Sequence, residues 1–264
     1  SEYLYPKYRS PRIINELENI NADILCLQEC DNDLFAEYYK NILQVELGYT
    51  CIANPSSNPN KKNVINVICY KTTMFTALMG KIELKETKEK FVVITTHLYW
   101  NPEYEYVRYG EIAKILSSAY EKYKNVPLFL CGDFNASPKS NVLRYIYKEK
   151  PDYSEGVKGD QFKNGKYIDI INEDEKYLNR YQLKSAYDGY KKDKKNYSES
   201  HPDFTTYTNE VIGNYDYIIY TEDSLQMVDL LKVPTENEVI QKDKLPNKDF
   251  PSDHLKIGAK FVFK

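Results

Sequence analysis

"FLCGDFNASP" (residues 129–138) is an apolar run that breaks into a carboxylate and an amide two residues apart. Phe129, Leu130 and Cys131 suit the interior of a sheet. Gly132, Asp133, Phe134 and Asn135 follow, and Pro138 opens a new element. A carboxylate at the tip of a core strand is costly unless it is paired, hydrogen-bonded or metal-bound. The stretch also has a bland reading, a strand-to-helix turn in which Asp and Asn bond their own backbone. What decides between the two is whether other strands end in the same way.

They do. "ADILCLQE" (22–29) is a buried-strand run ending in Glu29, and "KFVVITTHLYW" (90–100) reaches His97 after its apolar half. "NYDYIIY" (214–220) carries Asp216 inside an apolar run, where an acid is rarely left unpartnered. The final strand, "HLKIGAKFVF" (254–263), is entered through "PSDH", which supplies Asp253 and His254. Each residue alone has a structural reading: a solvated strand end, a satisfied core histidine, a strand entry. Together they hold two of the three histidines in the chain.

The remaining elements alternate helix and strand. Ser10-Pro11 reads as a helix start, with Ile13, Ile14, Leu17 and Ile20 at helical spacing. Asp31 or Asn32 caps a second helix whose stripe is Leu34, Phe35, Tyr38, Ile42 and Leu43, stopped by Gly48. "VINVICY" (64–70) and "LQMVDLLKV" (225–233) read as strands. Residues 103–124 and 138–149 read as helices, with a short helix near 235–242. Residues 151–180 and 188–203 are polar loops, and "KKDKK" (191–195) reads as a solvated face. No repeat or Gly/Ser/Pro-rich linker divides the chain. The pattern predicts one α/β domain over residues 1–264: a four-layer α/β/β/α sandwich of two packed mixed sheets with outer helices.

Bulk composition narrows the partners. With 264 residues and 42% hydrophobic content, the chain is long enough for one large core. No run approaches about 20 apolar residues, so no membrane-spanning helix is expected. A net charge of −3 gives no bulk basic surface for nucleic acid. A nucleic-acid partner would be gripped locally, by metal ions and a few cations. Five cysteines without a CxxC or His-Cys cluster read as reduced thiols in a reducing compartment.

If the strand tips converge, one pocket holds Glu29, His97, Asp133, Asn135, Asp216, Asp253 and His254. Carboxylates packed that closely repel unless a cation neutralises them. Oxygen donors with open water positions suit Mg²⁺ or Mn²⁺ rather than zinc. Positions i and i+2 of a strand share a side, so Asp133 and Asn135 would face one phosphate. The expected chemistry is metal-assisted attack of water on a phosphoester.

"LQE", "THLYWNP", "GDFN", "YDYIIY" and "PSDH", in this order, resemble the endonuclease/exonuclease/phosphatase superfamily, with its DNase I-like fold. "THLYWNPEYEYVR", "QLKSAY", "DYIIYTEDSLQMVDLLKVPTENEV" and "LPNKDFPSDHLKIGAKF" resemble the catabolite-repressor-type deadenylases within it, nuclease subunits of a cytoplasmic deadenylase complex. The resemblance implies that Glu29 binds the main Mg²⁺. It implies that Asp133 and Asn135 bind a second ion and help activate water. It gives His97 a contact to the scissile phosphate, Asp216 the orienting of a phosphate-stabilising His254, and Asp253 a metal or water ligand. Pro102 would line the pocket for the 3′-terminal base. The implied activity is 3′→5′ removal of adenylates from poly(A) RNA, releasing 5′-AMP. The implied setting is cytoplasmic, or nuclear, without a membrane, in a complex joined through regions outside this chain.

Four features depart from the family pattern. The family's opening strand, with its metal-site Asn, precedes the start of this chain, and the stretch from Tyr70 to Phe91 is short. Tyr99 replaces a second His. Val211 stands where the deadenylases place a Phe that stacks on adenine. A 2′,5′-phosphodiesterase, a cyclic-phosphate or small-phosphoester hydrolase, and a non-catalytic RNA-binding pseudoenzyme therefore stay open as alternatives.

Overall fold

Two sheets meet face to face, each with helices on its outer side. The computed structural model describes residues 5–55, 64–71, 75–78, 80–152, 168–169, 171–190, 201–239 and 244–264. The first sheet is antiparallel, in the order β1 (Ile24–Asp31), β3 (Val64–Lys71), β2 (Tyr49–Pro55). Its outer face is covered by α1 (Pro6–Ile20) and by α2, which starts at Asn32–Leu34 and continues as π-helical turns over Phe35–Tyr39 and Ile42–Glu46. Ile14 and Leu17 of α1 and Phe35 and Leu43 of α2 pack on Leu25, Ile65 and Val67 of the sheet. The stripe expected from the sequence is the face that is buried.

The second sheet has six strands, in the order β4 (Phe75–Leu78), β5 (Lys81–Leu84), β6 (Lys90–His97), β7 (Leu128–Asp133), β11 (Asp216–Thr221), β8 (Leu183–Ser185). It is mixed: β6 and β7 run parallel and the other neighbours antiparallel. Parallel neighbours need a long crossover. Here α3 (Glu105–Tyr123) supplies it and packs outside the sheet beside α4 (Asn141–Ile146). Ile112, Leu116, Leu143 and Ile146 meet Leu128, Leu130 and Ile219 there, all nearly inaccessible to solvent. Between the sheets lie Phe91, Val93, Phe129, Cys26 and Ile68, with the Phe91 and Phe129 rings edge to face at 5.5 Å. Two short pairs complete the described strands: β9 (Thr206–Tyr207) with β10 (Ile212–Gly213), and β12 (Leu225–Leu230) with β13 (Ala259–Phe263). No helix among the described residues is long and apolar enough to cross a membrane.

Several boundaries differ from the sequence expectation. Helix α1 begins at Pro6, not at Ser10-Pro11. Pro6 takes the favoured first-turn position, Pro11 falls inside the helix, and Ser10 is buried, accepting the Tyr39 hydroxyl at 2.9 Å. Strands β2, β4, β5, β8, β9 and β10 have no counterpart in the sequence expectation. Helix α4 starts at Asn141, capped by Ser140, rather than at Pro138. His254 stands before the last strand, in an isolated bridge to Thr206. "KKDKK" lies outside the described residues.

Candidate active site

The site is a row of side chains across three neighbouring strands. Asp133 ends β7; its register partners are His97 at the end of β6 and Asp216 at the start of β11. Directly paired residues on adjacent strands project from the same face. The alignment therefore delivers the side chains of His97, Asp133 and Asp216 to one place. Asp133 Oδ2 lies 3.4 Å from His97 Nε2 and 3.8 Å from His254 Nε2. Gly132, just before it, has φ +139°, and a Cβ there would sit 1.9 Å from the Thr96 carbonyl oxygen. Only glycine lets β7 approach β6 this closely ahead of the carboxylate.

Glu29 arrives from the other sheet. Strand β1 loses register against β3 between Leu27 and Cys30, so Gln28 and Glu29 bulge, and Glu29 takes φ +50°. Bulges re-aim side chains. Here Glu29 Oε1 comes within 3.7 Å of His97 Nδ1, while Gln28 Nε2 donates to Thr95 Oγ1 at 2.7 Å. The sequence expectation ended this strand at Glu29. The structure runs it on to Asp31 through the bulge.

A hydrogen-bonded chain closes the other flank. His254 Nδ1 and Asp216 Oδ2 are 2.7 Å apart, and the Thr205 hydroxyl donates to the same oxygen at 2.5 Å. Thr205 Oγ1 in turn accepts the Tyr215 and Asp216 backbone N–H groups at 3.0 and 3.1 Å. Thr205 is wholly buried. It was not singled out from the sequence, because the Thr pair of "DFTTYT" carries no charge. Its only signal is a hydroxyl in a short apolar run.

The other expected residues are placed less centrally. Asn135 has φ +47° and lies off the strand, so strand alternation does not bring it to Asp133. Its backbone N–H donates to Asp133 Oδ1 at 2.8 Å, and its side-chain Nδ2 donates to the Leu98 carbonyl at 2.9 Å. The Asp133–Asn135 pair is thus a side-chain-capped turn as well as a site element. Asp253 is exposed; its backbone carbonyl accepts the Thr206 hydroxyl at 2.8 Å, and its carboxylate is outside the Asp133–Asp216–His254 group. Pro102 is exposed on a helical turn after Asn101, its carbonyl 3.4 Å from Arg108 Nη2. Val211 is exposed in the turn between β9 and β10.

The charges of the cluster favour a cation beside Asp133. Burial, then the neighbouring Asp216 carboxylate, pushes Asp133 up to about 7 against the opposing pull of His254. Burial pulls the His254 imidazole down. The hydrogen bond and charge of Asp216, with Asp133 and Asp253, outweigh that and push it up to about 9. A carboxylate held so far above its ordinary range lacks positive charge. One ligand atom each from Asp133, Asp216 and His254 lie within 4.8 Å of one another. The carboxylate oxygens of Asp133 and Asp216, with Glu29 on the far side of His97, are hard donors that fit a divalent cation, while a protonated His254 is a hydrogen-bond donor and not a ligand.

Comparisons with known proteins show the family. The family model described as Endonuclease/Exonuclease/phosphatase family matches residues 7–254. The chain belongs to this family. Curated members similar to it include a probable CCR4-Not complex 3′-5′-exoribonuclease subunit Ccr4 of Vairimorpha ceranae, 28% identical over 99% of this chain and 59% of that protein. The counterpart of Enterocytozoon bieneusi is 30% identical over 92% of this chain and 56% of its own length. The chain thus spans somewhat more than half of these two relatives. Solved folds of the endonuclease/exonuclease/phosphatase family also superpose. ANGEL2, described as a 2′,3′-cyclic phosphatase, matches with a TM-score of 0.81 at 24% identity, over 98% of this chain and 87% of that one. The human Nocturnin catalytic domain matches with a TM-score of 0.68 at 22% identity, over 99% and 88%.

Proposed function

We propose that residues 1–264 form one nuclease domain: a divalent-metal-dependent 3′→5′ exoribonuclease of deadenylase type that hydrolyses RNA phosphodiesters to 5′-AMP. The observation that carries the reading is the aligned row His97–Asp133–Asp216, with His254 bonded to its end. The names of the Ccr4 relatives support the RNA substrate and membership of a CCR4-Not-type complex, in the cytoplasm or nucleus.

Glu29 and Asp133 would hold Mg²⁺ or Mn²⁺, with Asn135 and Asp253 as further donors to ions or ordered water. Such an ion, when bound, polarises a phosphoryl oxygen and lowers the pKa of water. The protein's own residues do the rest. Asp133 accepts the proton of the attacking water, whose oxygen bonds to phosphorus as the bond to the 3′-oxygen breaks and the leaving 3′-oxygen takes a proton from solvent. His254, protonated near neutral pH, donates to a non-bridging oxygen as negative charge develops there. Asp216, held by Thr205, keeps the Nδ1 proton on the histidine, so Nε2–H faces the Asp133 side. His97 sits between Glu29 and Asp133 and can meet the same phosphate. Pro102 and Val211 are the proposed contacts to the terminal base.

A second reading rests on Val211. An exposed valine offers no aromatic face for adenine, so 2′,5′-linked or cyclic-phosphate ends remain candidate substrates. Product analysis on RNAs with A, C, G or U tails, and on 2′,5′-oligoadenylate, with and without chelator, tests both. Stepwise 5′-AMP release from 3′ tails, abolished by chelator, is the expected result. Failure on every substrate with metal present would refute the catalytic reading and leave a binding role.

A further inference from the structure

We propose that Cys51 and Cys69 are an oxidisable dithiol, which a peroxide closes into a disulfide stapling β2 to β3. This inference is independent of the nuclease reading. The two residues face each other directly in the antiparallel register of β2 and β3. Their sulfurs are 3.0 Å apart, about 1 Å beyond a covalent sulfur–sulfur bond. Opposed residues of an antiparallel pair hold their Cα atoms about 4.5–5.5 Å apart, inside the range a disulfide spans. Closure therefore needs no rearrangement of the strands.

The pair is also asymmetric, as a two-step oxidation requires. Cys69 is wholly buried and donates its S–H to Cys51, which is half-buried. That bond, opposed by burial, pulls the Cys51 thiol below its ordinary range. Cys30 is pushed up to about 12, and Cys69 and Cys131 are raised as well. Thiolate is the attacking species, and the reachable sulfur is the acidified one. In the first step the Cys51 thiolate attacks hydrogen peroxide; a sulfur–oxygen bond forms, the oxygen–oxygen bond breaks, and the departing hydroxide takes the thiol proton as water. In the second, Cys69 sulfur attacks Cys51 sulfur, the sulfur–oxygen bond breaks, and the hydroxyl leaves with the Cys69 proton as a second water. Two thiols are oxidised by two electrons and the peroxide is reduced.

Cys69 pairs with Leu25 on β1, at the opposite end of β3 from the residues facing the Glu29 bulge. The staple therefore tightens the sheet away from the catalytic row, and its readouts are covalent linkage and stability.

The test treats the intact chain with hydrogen peroxide, blocks free thiols with N-ethylmaleimide and maps peptides by mass. The expected product is a Cys51–Cys69 linked peptide, an intact mass lower by two hydrogens, and reversal by dithiothreitol. Oxidised protein should melt higher than reduced protein, and the difference should vanish in Cys51→Ser. Should Cys51→Ser fold poorly, Cys69→Ala serves, and the wild-type map needs no variant. Recovery of both thiols as maleimide adducts after peroxide, oxygen adducts on Cys51 without linkage, or preferential linkage of the hydrogen-bonded Cys26 and Cys131 would each overturn the proposal.

Discussion

Asp216 and His254, 38 residues apart in the chain, meet at 2.7 Å, and Thr205 fixes the shared oxygen from behind. The carboxylate thereby sets both the orientation and the charge of the imidazole.

Replacing Asp216 with Asn keeps the shape and removes the charge. The His254 titration midpoint should fall from about 9. Turnover should drop by about 10²-fold or more, in the range of a misplaced acid–base group. The chain has three histidines, so proton NMR can follow each ring. An unchanged His254 midpoint would remove the orienting role of Asp216.

The metal-free protein should lose stability as pH rises. Asp133 is raised from 3.8 to about 7 in the fold. Its contribution is full below the unfolded value and disappears as pH climbs through about 7. His254, raised from 6.5 to about 9, contributes fully below 6.5 and loses that contribution through about 9. In chelator the melting temperature should decline from pH 5.5 to 9. Mg²⁺ should raise it more at pH 8 than at pH 5.5, because the ion replaces a proton. Calorimetry showing a flat or rising melting temperature in chelator would contradict the charge balance described for the cluster.

Thr205→Val removes one hydroxyl that donates once and accepts twice. Two backbone N–H groups and a carboxylate oxygen then lose a buried partner, at about 1–3 kcal/mol for each group left unsatisfied. A lower urea midpoint, together with reduced turnover, is the expected outcome. Thr205→Ser should restore most of both.

Gly132→Ala should not yield the native sheet. Its methyl would occupy the space of the Thr96 carbonyl oxygen, and the backbone angle opposes any side chain. A loss of about 4 kcal/mol or more is expected, visible as insoluble or unfolded protein by circular dichroism.

Val211→Phe should sharpen preference for adenine. Stacking a base on an aromatic ring is worth about 1–3 kcal/mol. Competition between A-tailed and U-tailed RNAs would register it as a lower KM for the A tail. Equal KM values would separate Val211 from base recognition.

Much of the geometry of the candidate site was legible because charged residues stand at apolar strand ends. Asp133, Asp216, His97 and His254 each interrupt a run that otherwise belongs in a core, and the fold brings all four together. Glu29 was legible as a residue but not as a bulge, since a left-handed φ on Glu leaves no compositional mark. Asn135 meets Asp133 through its backbone N–H in a turn, not through strand alternation of the two side chains. Thr205 was silent because a threonine in an apolar run reads as packing. Helix α1 starts five residues earlier than expected because Pro6 and Pro11 both suit a helix entry, and Ser10, read as a cap, is instead a buried partner of the Tyr39 hydroxyl. Strand β5, with four residues, is too short to declare a period.

Since His97, Asp133 and Asp216 occupy one rung of a backbone ladder, their spacing is inherited from peptide geometry rather than from the loops around them. Insertions on the loop side can therefore be accommodated without disturbing the rung, and the spacing of the three side chains should survive remodelling there until the sheet itself melts.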